Sequence, residues 1–201
     1  LYRIEKNLRC TKAGPRKRAA VRMSRPSITR SPTGHYMVSI SMTNWQIKDL
    51  IPEAWAKAAE HAGMKYVVFT TKHHDGFSMF DTRMTDYRVT SPEVPFSKNP
   101  RANIALEVFD TFRKHGFGIG AYFSKSDWRS PYYWKPGVFA EDRNPNYDTA
   151  AEPERWAKFV DFVHGQIREL MTGYGKIDIL WLDGGQVRPP KQDIQMDRIS
   201  A

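Results

Sequence analysis

The sequence predicts an α/β fold in which short parallel strands alternate with helices. Helical and strand-like segments follow one another in turn, and the strand-like runs are continuously apolar instead of alternating. Loops after strands are long and polar, whereas loops after helices span only a few residues. Continuous apolar runs are what strands covered on both faces require, and either a barrel or an open sheet satisfies the pattern. The loop asymmetry places the functional face at the C-terminal ends of the strands.

The elements follow in order from Asn44. Pro52 suits a helix start, Trp55, Ala58 and Ala59 give an apolar stripe, and Gly63 can end it. Residues 65–71 (Lys-Tyr-Val-Val-Phe-Thr-Thr) then read as a buried strand. A second helix over 104–115 carries Ile104, Leu106, Val108, Phe109 and Phe112 and stops at Gly116, and the strand 117–124 follows. A longer helix runs from Pro153 to about Tyr174, with Trp156, Phe159, Val160, Val163, Ile167, Leu170 and Met171 at helical spacing. Gly175 ends it, and 177–182 form the next strand.

The net charge of +9 invites a nucleic-acid reading, but its location argues otherwise. Residues 1–40 hold ten Lys/Arg and one acid, Glu5, so the remainder balances at 21 basic and 21 acidic residues. That basic segment shows no useful periodicity and is expected to be irregular and outside the fold, with the folded unit at 41–201. Cys10 is the single cysteine, which excludes internal disulfides. No run approaches the roughly 18 apolar residues of a membrane helix, so neither a membrane nor a nucleic-acid partner is expected. Leu1 at one end and a stop at Ala201 soon after a strand suggest an incomplete fragment, inactive by itself.

Three clusters fall at the strand ends: 72–77 (Lys-His-His-Asp-Gly-Phe), Tyr122-Phe123-Ser124 with Asp127-Trp128, and 181–185 (Trp-Leu-Asp-Gly-Gly). Aromatic faces beside carboxylates and imidazoles suit a sugar, whose C–H faces stack on rings while its hydroxyls need fixed donors and acceptors. Asp183 lies two residues after Trp181 and so shares its strand face, where a carboxylate can attack an anomeric carbon. Adjacent histidines raise a metal alternative, but neighbouring strand residues point to opposite faces, so His73 and His74 share an ion only if the strand has already ended. No metal and no cofactor are expected.

These motifs resemble glycoside hydrolase family 29, the α-L-fucosidases. The segment 62–77 carries the most specific likeness, and 118–124, Asp127-Trp128, 170–175 and 179–185 are similar in order and spacing. The resemblance covers about Asn44 to Gln186. It implies a partial (β/α)8 TIM barrel, about strands 2–4 with their helices, in an enzyme that releases terminal α-L-fucose with retention. It further implies Asp183 as nucleophile, His73 and His74 on fucose hydroxyls, Trp181 and Tyr122 lining the pocket, and a fucosylated oligosaccharide or glycoprotein glycan as substrate. An extracellular, periplasmic or lysosomal location goes with that likeness. Tyr122 and Phe123 compete for one pocket position. The family's His-Trp-Gly and Glu-Trp motifs are missing from residues 1–40, and the acid/base carboxylate is expected beyond Ala201. A non-catalytic fucose-binding fragment is the alternative.

Overall fold

The computed structural model describes residues 27–30, 36–39 and 50–200. Its elements are β1 (Ser27–Arg30), β2 (Tyr36–Ser39), α1 (Pro52–His61), β3 (Tyr66–Lys72), α2 (Ile104–Lys114), β4 (Gly118–Ser124), α3 (Pro153–Gly173), β5 (Ile179–Asp183) and α4 (Asp197–Ser200), with a 3-10 turn at Pro95–Lys98. The predicted strands and helices of 52–183 are thus present, with ends that shift by a residue or two. Pro52 and Pro153 open α1 and α3, where a missing N–H costs nothing. Asn103 caps α2 by accepting from the Leu106 N–H at 3.4 Å, and Arg113 and Lys114 sit in its last turn, where the helix dipole favours cations.

β1 and β2 pair antiparallel, with Ser27 opposite Ser39. The segment expected to be irregular therefore contains a hairpin, whose four-residue strands are too short to establish a period. The other residues of 1–40 lie outside those described.

β3, β4 and β5 form a parallel sheet in sequential order. Parallel crossovers are right-handed, so a sequential order brings every connecting helix to the same side of the sheet, as in a barrel wall. Within this chain, only the helix side of the sheet is covered. Ile119, Ala121 and Phe123 are buried on the helix side, in one core with Phe109, Phe159, Val163 and Leu170. On the other face Tyr66 and Trp181 remain 59% and 57% exposed. These are three strands with their helices and not a closed barrel. No described helix is long and apolar enough to cross a membrane.

The register slips between Thr70 and Lys72, where an extra residue is accommodated against β4. The bulge sends Lys72 into the helix side. There its ammonium lies 3.1 Å from Asp127 Oδ2 and donates to Gln166 Oε1 of α3 at 3.1 Å, with the Phe123 ring centroid 4.2 Å away. Lys72 and Asp127 side chains are 0% and 2% exposed. Asp127 also accepts the N–H groups of Arg129 at 3.0 Å and Ser130 at 2.8 Å, which folds the loop after β4 back over β3. Gly76 has φ +81, and a side chain there would collide with the Asp127 carboxylate, so the close approach of the two loops requires glycine.

Removing one partner of a fully buried pair leaves an uncompensated charge. Asp127→Ala is expected to lower the unfolding free energy in urea by about 3–5 kcal/mol. A loss below about 1 kcal/mol, the level of an exposed pair, would contradict this assignment.

Candidate functional site

β5 ends at Asp183, whose carboxylate faces the uncovered side of the sheet together with Trp181 and the paired Tyr122 of β4. The Tyr122 hydroxyl donates to Asp183 Oδ2 at 2.5 Å, and the Gly184 N–H donates to Oδ1 at 2.6 Å. Gly184 takes φ +88, a conformation that turns the chain sharply after the strand and aims its N–H at the carboxylate. The tyrosine hydroxyl first, then the backbone donor, hold the Asp183 carboxyl below its ordinary pKa, with His74 and His73 adding to the effect. The same carboxylate, after burial, pushes the Tyr122 phenol up.

β3 has ended at Lys72, and the turn that follows is closed by the Gly76 N–H on the His73 carbonyl at 3.0 Å. His73 and His74 therefore leave the strand together, with ring centroids 4.3 Å apart. His73 is exposed and stacks on Tyr122 at 5.9 Å. His74 is half-buried, with Nε2 3.8 Å from Asp183 Oδ2. Its Nδ1 contacts Ser124 Oγ, and Ser126 Oγ at 2.9 Å. Ser124 donates to the Ser126 carbonyl at 2.8 Å, so the two serines and Nδ1 form one small hydrogen-bonded group. Burial, then the neighbouring His73, lower the His74 pKa and favour the neutral ring. Nε2 faces the Asp183 carboxylate.

The five sequence-predicted residues are brought into one neighbourhood of the sheet. Tyr122 touches Asp183, His73 stacks on Tyr122, His74 faces Asp183, and Trp181 pairs with Tyr122 across the strands while staying exposed. Phe123 instead lies in the core, beneath Lys72. Of the spare carboxylates, Asp127 is committed to Lys72. Asp75 is raised by burial and accepts from the Phe77 N–H at 3.2 Å. Sequence reasoning gave no role to Ser126 or Trp128. The Trp128 ring lies 5.3 Å from the His74 ring and stacks on Trp134 at 5.3 Å, and the Trp128 backbone N–H donates to the His74 carbonyl at 2.8 Å. The Asp-Trp pair directly after β4 was the available signal. A cavity of about 470 Å³ at the start of α3, lined by Tyr132, Pro153 and Arg155, shares no residue with this cluster.

A parallel α/β sheet with its helices on one side and polar and aromatic groups gathered at its C-terminal strand ends has the layout of one stretch of an α/β catalytic domain. The chain belongs to the alpha-L-fucosidase family, whose profile matches residues 31–201, a range that begins inside the basic segment. A putative alpha-L-fucosidase 1 of Oryza sativa subsp. japonica is 32% identical over 143 residues, which is 71% of this chain but 23% of the rice protein. Alpha-L-fucosidase isoenzyme 1 from Paenibacillus thiaminolyticus superposes with a TM-score of 0.58 at 39% identity, over 71% of this chain and 32% of that one. A GH29 alpha-L-fucosidase from Bacteroides thetaiotaomicron, trapped as a covalent intermediate with 2-fluoro-fucosyl fluoride, gives 0.58 at 29% identity, over 71% and 29%. The chain spans about a quarter to a third of the length of these relatives.

A carboxyl whose folded pKa is depressed contributes stability that is present above its unfolded pKa and lost as pH falls through its folded pKa. Tyr122→Phe removes the largest cause of the Asp183 depression. The Asp183 carboxyl resonance, followed by carbon NMR, is expected to titrate at higher pH in that variant, and the stability lost at neutral pH should shrink in acid. An unchanged titration would show that the phenol does not set this carboxylate's charge.

Proposed function

We propose that this segment supplies the nucleophile side of a retaining α-L-fucosidase acting on terminal α-L-fucose of oligosaccharides or glycoprotein glycans. The observation that carries this reading is the Asp183 carboxylate, kept ionised by Tyr122 and Gly184 at a parallel strand end and opening on the uncovered face beside Trp181. An ionised carboxylate with a lowered pKa is ready to attack without prior deprotonation. A carboxylate oxygen bonds to the anomeric carbon, the glycosidic oxygen leaves with a proton from an acid, and a fucosyl ester results. Water activated by the same acid, now a base, then hydrolyses that ester with overall retention. His74 Nε2 and the exposed His73 ring receive fucose hydroxyls, and Trp181 and Tyr122 offer aromatic faces to the sugar.

Retention uses two carboxyl groups about 5–5.5 Å apart. Asp127 is held by Lys72. The family resemblance implies an acid/base carboxylate from another part of the domain, and the 201-residue chain alone is expected to turn over poorly. On this reading residues 41–201 are the catalytic piece.

Asp183→Gly, placed in a polypeptide that joins this segment to a complete catalytic domain, is expected to lose hydrolysis of an aryl α-L-fucoside by several orders of magnitude. Azide should restore turnover and give a fucosyl azide of inverted configuration, because a small anion enters the vacated space. Near-normal hydrolysis by the variant would remove Asp183 from the mechanism.

A further inference from the structure

The Asp183 Oδ2 and the His74 Nε2 stand 3.8 Å apart, and His73 completes the group. One ligand atom from each of the three residues lies within 4.8 Å of the others. The objection that adjacent histidines diverge does not hold here, because the strand stops at Lys72 and the turn brings both rings to one side.

From this convergence we infer that His73, His74 and Asp183 form a binding site for a borderline divalent cation, Zn²⁺ in particular, that excludes the sugar while occupied. Two imidazoles and one carboxylate are a zinc ligand set that leaves a fourth position open to water. Bonds of about 2.0–2.2 Å in a tetrahedron set neighbouring ligands about 3.3–3.5 Å apart. The His74–Asp183 pair is already near that spacing, and the exposed His73 ring can turn to reach it. The outer contacts match what metal ligands need. Ser124 and Ser126 hold the far nitrogen of His74, and Tyr122 and Gly184 hold the carboxylate. A cation there ties up the carboxylate oxygen that the proposed reaction uses, so its effect is inhibition, independent of any cofactor role.

Cobalt(II) chloride, titrated into this chain in metal-free buffer, reports on the site without any sugar or turnover. The expected result is a saturable visible absorption of four-coordinate Co²⁺ at one equivalent, displaced by Zn²⁺. His73→Ala removes an exposed ring, so far-ultraviolet circular dichroism should stay unchanged while Co²⁺ affinity falls at least about tenfold. No saturable absorption in the parent chain, or the same affinity in folded His73→Ala, would overturn the inference.

Discussion

The buried ion pair between Lys72 and Asp127 is the constraint on which the arrangement depends. Taking an ammonium out of water costs several kcal/mol, and burial does lower the Lys72 pKa, so the group must be met on every side. The carboxylate, the Gln166 amide oxygen and the Phe123 ring meet it, and they belong to the loop after β4, to α3 and to β4 itself. One cation thus joins three consecutive elements of the chain. Asp127 also fixes where Trp128 begins, and Trp128 holds the His74 backbone and flanks its ring. The orientation of a candidate site residue on the open face follows from a charge neutralised on the helix face.

The open face gathers a carboxylate and two imidazoles. A carboxylate held by two donors stays ionised, and a histidine whose Nδ1 is held by Ser124 and Ser126 turns its other nitrogen toward that carboxylate. Sugar hydroxyls supply protons to such groups, and a divalent cation supplies charge. The same convergence therefore favours either occupant, and each excludes the other through Asp183.

Much of this was legible in the sequence because local signals agreed with the global fold. Pro52 and Pro153 mark helix starts, Gly63, Gly116 and Gly175 mark stops, and each apolar run between them became a strand. Asp183, Trp181 and Tyr122 could be placed on one face by the strand period of two. What escaped depends on contacts distant in sequence. Lys72 reads as a solvated strand end until Asp127 and Gln166 are brought to it. The convergence of His73 and His74 turns on a bulge and on where β3 stops, and strand ends are the least secure part of any periodicity argument. That all the helices lie on one side of the sheet follows from the direction of winding, which apolar runs do not encode, and the β1–β2 hairpin was too short to show a pattern.

The central claim is that Asp183 bonds covalently to the sugar. Fluoride departs without protonation, so 2-fluoro-fucosyl fluoride tests the nucleophile independently of the acid/base group. A complete catalytic domain carrying this segment would be treated with that reagent, digested and sequenced by mass spectrometry. The account predicts one fluorofucosyl adduct per chain, on the carboxyl of Asp183. An adduct on any other residue, with Asp183 unmodified, would contradict it.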